Sequence, residues 1–319
     1  MFNNCSNPLR WCCIYSRKNK MKKVLVTGCC GFIGSHLCDE LVKEFYVIGV
    51  DNLSLGSLKN IEHLKKNFEF HEVDILGKEF RTIFQSYKFE AVFHLAANSD
   101  ISKGDPERDF KDTLSSTLVV LENCRMKGIK DFIFTSSGAI YGESKKILKE
   151  DDGPLFPISH YGAAKLSSEA FISAYSSMYD IQAWICRLPN VIGPRMTHGC
   201  IYDFKNRLKI NPKLLTVKGD GTQTKPYMYV KDTVDAILFI WRNAPDMLNY
   251  YNLAGIGQTS VKEIAEIVAG DTDIVYQGGD RGWKGDIPTY NCETSKLGLL
   301  GWVPRRTSTA AVKLTMKKL

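Results

Sequence analysis

The chain has 319 residues, of which 44% are hydrophobic and 24% charged, and its formal net charge is +7. Arg10, Arg17, Lys18 and Lys20 fall in the first twenty residues, which carry no acid; the rest holds 38 basic against 35 acidic side chains, a net of +3. That near-neutral body excludes the basic footprint of a nucleic-acid binder, and no run reaches the roughly 18 to 20 apolar residues of a membrane span.

Such a composition suits one large globular domain with an appended lobe. The ten cysteines include no C-x-x-C pair, so neither zinc nor thioredoxin spacing is present. Several sit in apolar runs such as "WICRL", which points to free thiols in a reducing, cytoplasmic setting. Residues 1–20 lack the apolar core of a signal peptide, and the expectation is a disordered extension ahead of Met21.

From Met21 onward, strands and helices alternate. "KVLVTG" reads as a first strand, and "FIGSHLCDELVKE" has apolar residues at helical spacing. "YVIGVD", "FEFHEVDI" and "AVFHLAA" read as strands two to four, followed by a helix around "TLVVLENCRMKG". "DFIFTSS" is a fifth strand, "SHYGAAKLSSEAFISAYSSMY" a long helix and "IQAWICRLPNV" a sixth strand. Strands alternating with helices imply βαβ units, and continuous apolar strands imply a parallel sheet covered on both faces. The fold class is therefore α/β, a doubly wound Rossmann sheet over residues 21–188. Beyond about residue 190, loops rich in Gly and Pro separate shorter elements. The expectation there is a smaller substrate-binding lobe over 189–319, with some chain returning to the sheet.

Gly28, Gly31 and Gly34 form G-x-x-G-x-x-G between the first strand and the first helix. Glycine lets the backbone turn tightly and approach a pyrophosphate, and the helix start offers free N–H groups. Asp51 ends the second strand, where a carboxylate can accept hydrogen bonds from an adenosine ribose and repel a 2′-phosphate, favouring NAD over NADP. Asp74 and Ile75 end the third strand and can flank an adenine ring. For both acids the plainer reading is a solvated strand end.

Tyr161 and Lys165 stand four residues apart on one helical face. A free tyrosine has a pKa of about 10, and a nearby ammonium favours its phenolate. Ser136 and Ser137 end the fifth strand, where a hydroxyl can relay a proton or hold a substrate oxygen.

These residues, in this order, resemble the extended short-chain dehydrogenases/reductases, and within them the NAD-dependent nucleotide-sugar epimerase/dehydratase group, of the UDP-glucose 4-epimerase kind. The resemblance runs from about residue 22 to 303 through "TGCCGFIG", "DNLSLGS", "VDI", "HLAA", "TSSGAIYG", "YGAAK", "RLPNVIGPR", "GDGTQTKPY" and "LGW". It implies Tyr161 as catalytic base, Lys165 as its activator and a ribose anchor, and Ser137 as third member. It places Phe32, Ile33 and Asn52 with the glycines and Asp51 around the dinucleotide. Leu95, Ala96, Ala97 and Pro189 fall near the nicotinamide, and Asn190, Lys225 and Arg281 near a nucleotide diphosphate. It further implies a homodimer or homotetramer.

Three departures follow. The family's dehydratases carry acidic residues after the catalytic hydroxyl, where this chain has Gly138 and Ala139. Lys225 stands where an arginine usually meets a phosphate, which keeps the charge but loses bidentate geometry. Thr113 stands where an active-site asparagine is usual. His36 and His94 read as satisfied core histidines, His160 as a cap or solvent contact, and His198 as a residue of a loop near the substrate.

The function expected is 4-epimerisation of a nucleotide-linked sugar through a transient 4-keto sugar. A nucleotide-sugar 4-dehydrogenase shares the first step, and a non-catalytic NAD-binding regulator has no need of the triad. No metal site is expected. Cys29 and Cys30 read as small side chains in the variable slots of the phosphate turn. Their place at a helix N-terminus predicts lowered pKa values and alkylation that NAD blocks.

Overall fold

The structure is a computed structural model and describes residues 21–100, 104–283 and 285–319. The expected extension over residues 1–20 lies outside the described residues. The chain runs through β1 (Lys23–Thr27), α1 (Phe32–Leu41), β2 (Tyr46–Asp51), β3 (Phe68–Glu72), α2 (Lys78–Ser86) and β4 (Phe89–His94). There follow α3 (Pro106–Asp109), a π-helical turn at Phe110–Ser115, α4 (Ser116–Lys127), β5 (Asp131–Ser137), α5 (His160–Tyr179) and β6 (Gln182–Leu188).

All the strand pairs of the main sheet are parallel. Alternation along β1 fixes its faces. Val24 and Val26 join one core with Leu37, Cys38 and Leu41 of α1, while Leu25 joins the other with Phe80 and Phe84 of α2 and Leu121 of α4. The sheet order places β4 and β1 side by side, with β2 and β3 beyond β1 and β5 and β6 beyond β4. Chain direction thus reverses between β1 and β4, and the crevice at their C-terminal ends is where a ligand of this fold sits.

A seventh strand completes the sheet. Past β7 (Asn190–Ile192), α6 (Cys200–Ile210), β8 (Leu214–Val217), β9 (Thr224–Lys225) and β10 (Tyr227–Tyr229), the chain returns as α7 (Val230–Asn243) and β11 (Leu248–Asn252). α7 packs its apolar stripe (Val234, Ile237 and Ile240) into the α1 face, and β11 pairs with β6.

A second core lies over the crevice and gathers Ile201 and Phe204 of α6, Leu215 and Val217 of β8, and Ile264, Ala265 and Val268 of α8 (Val261–Ala269). Beyond it come β12 (Thr259–Ser260), β13 (Asp273–Tyr276), α9 (Ser295–Leu300) and α10 (Ser308–Lys318). Among the described residues no helix is long and apolar enough to cross a membrane.

Candidate active site

One cavity of about 1060 Å³ opens at the C-terminal ends of the strands. Every candidate site residue named above lines it except Arg281. Arg281 instead pairs with Glu143 and is partly exposed.

The glycine turn forms one wall. Gly28 has φ +71°, and a Cβ there would lie 2.8 Å from the backbone N of Ala96. A Cβ on Gly34 would lie 2.0 Å from the Gly28 carbonyl oxygen. Both positions therefore admit no side chain, and the turn stays tight enough to present its N–H groups. Asp51 is buried at the end of β2; its Oδ2 accepts from Cys30 N at 2.9 Å and its Oδ1 from Leu53 N at 2.8 Å. Burial pushes its carboxyl pKa upward, and the backbone donors of Leu53, Cys30 and Gly31 oppose that shift. Asp74 is exposed, accepting from Leu76 N at 2.8 Å and Asn52 Nδ2 at 3.3 Å, beside the buried Ile75.

Cys29 and Cys30 are small side chains packed into the turn, and what differs from the expectation is the lowered pKa at Cys29. Cys29 and Cys30 are fully buried and face the α1 side of the core rather than the cavity. Burial drives the Cys29 thiol far above its ordinary value, with the Cys30 contact adding to it, so the desolvation cost outweighs the helix-terminus effect. The two thiols and the Asp51 carboxylate do place three ligand-type atoms within 4.8 Å. Both Asp51 oxygens there already accept from backbone N–H groups, Cys30 N and Leu53 N.

The triad meets across β5 and α5. Ser159 caps α5 by accepting from Gly162 N at 3.1 Å. A Cβ on Gly162 would lie 2.5 Å from the Ala139 carbonyl oxygen, so this glycine lets the first turn of α5 press against the turn after β5. That approach sets Tyr161 and Ser137 side by side on the wall of one pocket. One turn on, Lys165 is buried; its Nζ donates to the Thr135 carbonyl at 2.7 Å and lies 6.0 Å from the Tyr161 ring centre.

Burial pushes Tyr161 up to about 12, with the Ser137 hydrogen bond pulling it down and the Asp109 charge pushing it further up. Burial lowers Lys165 to about 7, and Glu169 opposes this. The phenol thus needs added positive charge to ionise near neutral pH. Removing the ammonium in Lys165→Met makes the phenolate less favourable. The acid limb of the pH–rate profile is therefore expected to move to higher pH; an unmoved limb would mean that Lys165 does not tune the base.

The walls behind these groups are satisfied polar contacts. His94 is fully buried between Thr27 (2.7 Å) and Thr117 (3.1 Å), and burial drops it to about 3, as a core histidine requires. His36 lies 3.0 Å from the Pro194 carbonyl and His160 is exposed at the start of α5. His198 lines the cavity with its pKa lowered by burial. Thr113 is buried and accepts from Asn98 N at 3.3 Å, while Asn98 Nδ2 donates to Asp109 at 2.8 Å. Ser136 Oγ is buried, lines the cavity and has no partner among the described residues.

Toward the second core, Lys225 Nζ pairs with Asp286 at 2.5 Å. Ser137, Tyr161, Pro189, Asn190 and Lys225 also line a smaller pocket with Trp283, Asp286 and Tyr290. The sequence reading missed those three and Gln223, because their loops carry no periodic signal. A Cβ on Gly138 would lie 2.4 Å from Tyr290 Cζ, so the aromatic ring fills the space a side chain at 138 would need.

This cradle fits a dinucleotide. The glycine turn, Asp51 and the orphan Ser136 hydroxyl all line one cavity large enough to take it. Residues 24–254 match the sequence model of the NAD dependent epimerase/dehydratase family. A putative UDP-glucose 4-epimerase of Methanocaldococcus jannaschii is 32% identical over 294 residues, 88% of this chain and 93% of that protein. Human dTDP-D-glucose 4,6-dehydratase is 29% identical over 93% of this chain and 89% of its own length. The solved UDP-glucose 4-epimerase of Thermotoga maritima, a complex with UDP-glucose, superposes with TM-score 0.84 at 34% identity, covering 93% of this chain and 98% of that one. These matches span most of the chain, which belongs to the NAD-dependent epimerase/dehydratase family and takes NAD as its cofactor.

Proposed function

We propose that the protein is a nucleotide-sugar 4-epimerase that works through a transient 4-keto sugar. The observation that carries this is the meeting of Ser137, Tyr161 and Lys165 at the cavity wall, next to a position 138 whose side-chain space Tyr290 occupies. The acid that dehydratases carry after the catalytic hydroxyl has no room here, which favours epimerisation over loss of water.

Tyr161, as phenolate, takes the proton of the C4 hydroxyl, with Ser137 bridging oxygen to oxygen. Lys165 supplies the nearby positive charge that favours the phenolate, and it anchors a ribose. NAD, when bound, takes up the hydrogen and electron pair from C4 and gives them back. The 4-keto sugar would turn about its link to the diphosphate between the two transfers, so that the hydride returns to its other face, and Tyr161 then gives its proton back to the C4 oxygen. Gly28, Gly31 and Gly34 seat the pyrophosphate, Asp51 the adenosine ribose, and Asp74 with Ile75 the adenine. Leu95, Ala96, Ala97 and Pro189 flank the nicotinamide. Asn190 and Lys225 reach the sugar diphosphate, with Asp286 fixing the ammonium. Arg281 is left as a rim residue.

Phe110, Phe171 and Met178 stay exposed on the helical layer, the kind of apolar surface a homodimer would cover. The deciding experiment incubates the NAD-loaded protein with UDP-, GDP-, CDP- and TDP-sugars and reads product mass. A product of unchanged mass and inverted C4 is expected. Accumulating product short of two hydrogens would make the enzyme a 4-dehydrogenase, and no turnover with any sugar would leave the regulator.

A further inference from the structure

We infer that the ring of Phe134 seats the Lys165 ammonium and, as a positioning residue, keeps that group charged beside Tyr161, a reading that rests on Lys165 acting as a cation in the proposed reaction. Lys165 is only 2% exposed, and a buried ammonium needs compensation from its surroundings. Among the described residues no carboxylate forms an ion pair with it. Glu169, the acid that acts on it electrostatically, is already held by Arg187. Arg187 Nη2 donates to Glu169 Oε2 at 2.8 Å and Nε to Oε1 at 3.2 Å. One N–H of Lys165 donates to the Thr135 carbonyl at 2.7 Å.

The face of Phe134 supplies a second, different compensation. Lys165 Nζ lies 4.5 Å from that ring centre, nearer than the 6.0 Å to the Tyr161 ring. The negative face of an aromatic ring attracts a cation at this range, most strongly where water is excluded. Alternation along β5 sends Phe132 and Phe134 to the core that holds Ile172 of α5, and Ile133 to the other core. Phe134 is fully buried, and the His94 ring stacks on it with centres 5.8 Å apart and planes at 26°. His94 is pinned between Thr27 and Thr117, and burial keeps it neutral, so the stack holds the ring without adding a competing cation.

The titratable and charged groups around Nζ are therefore Tyr161 and Glu169 of α5, His94 of β4 and, through Glu169, Arg187 of β6; Asp109 acts on Tyr161. Of the aromatic rings near Nζ, Phe134 alone can neither ionise nor hydrogen-bond. An aliphatic residue would fill the same core space without a negative face, so the ring's added contribution is electrostatic. Weakening it lowers the pH at which Lys165 gives up its proton. The phenolate–ammonium pair is then lost from the high-pH side.

The test builds mono-, di- and trifluorophenylalanine into position 134 of the NAD-loaded protein. Fluorine draws electrons from the ring and weakens its negative face while changing its size little. Lys165 is titrated by NMR of ε-13C-labelled lysine, its signal being the one absent from Lys165→Met. Its pKa is expected to fall stepwise with fluorine number, by about one unit in all, with NAD content and Tm close to wild type. Phe134→Leu should reach at least the same shift, and the high-pH limb of the pH–rate profile should move down with it. If the trifluorinated protein loses NAD, the mono- and difluorinated ones carry the trend. A Lys165 pKa that does not move along the series would overturn the inference. A shift in Phe134→Leu alone would assign the ring to packing and overturn it equally. The titration uses no sugar, so its failure is distinct from failure of the epimerase assignment, which the sugar-nucleotide assay decides.

Discussion

Tyr161→Phe is expected to lower kcat by roughly 10² to 10⁴ while NAD remains bound. The substitution removes one oxygen and keeps the ring, so the packing between β5 and α5 persists. In the proposed arrangement the dinucleotide is held elsewhere, by the glycine turn, by Asp51 and by Lys165, whose Nζ is anchored on the Thr135 carbonyl and not on the phenol. What is lost is the group that takes the C4 proton. Ser137 cannot replace it, because a serine hydroxyl has no accessible conjugate base near neutral pH without a base of its own. His198 also stands on the cavity wall, with its pKa lowered by desolvation, and is a second proton acceptor to test. Turnover by chromatography of the sugar nucleotides and NAD content by absorbance settle the assignment. A variant within tenfold of wild type would move the base to another group, and His198→Asn on that background would identify it.

Much of this site is legible in the sequence because it depends on short-range pattern. Tyr161 and Lys165 share a helical face by spacing alone, and apolar runs announce β1, β2, β4, β5 and β6. The glycine triplet sits where a strand gives way to a helix, and Asp51 closes the next strand. What the sequence conceals depends on long-range approach. The Ser137–Tyr161 contact needs Gly162 against the Ala139 carbonyl, and a glycine inside "HYGAAK" does not say what it touches. β11 joins the sheet sixty residues after β6, in a stretch where loops dominate. The stretch after β13 hides its partners altogether: Asp286 reaches Lys225, Tyr290 covers Gly138, and Arg281 turns away to Glu143. For Cys29, position at a helix start and burial in a core point in opposite directions, and only the fold shows that burial is the larger effect.

Gly34→Ala is expected to reduce NAD affinity by on the order of 100-fold, through geometry alone. The added methyl would stand 2.0 Å from the Gly28 carbonyl oxygen and 3.2 Å from Cys29 Cα. Its neighbours there are backbone atoms, which cannot swing aside as a side chain can. Relief therefore means moving the turn or the first turn of α1 by about 1 Å. A shift of that size is enough to misplace a group held by several N–H donors, at a cost of about 10². Neither partner is free to move. Gly28 N donates to the Val50 carbonyl at 2.8 Å, and Gly28 itself presses on Ala96, while α1 is buried through Leu37 and Cys38. The overpacking also costs stability, about 1–3 kcal/mol, so a fall in Tm accompanies the loss of NAD. Gly31→Ala is the contrast within the same turn: its Cβ would meet only the Gly28 carbonyl oxygen, at 3.2 Å, a contact that a few tenths of an ångström relieves. Equilibrium dialysis of NAD against both variants should therefore separate them by tenfold or more. Equal affinities would show that the turn yields more readily than its packing implies.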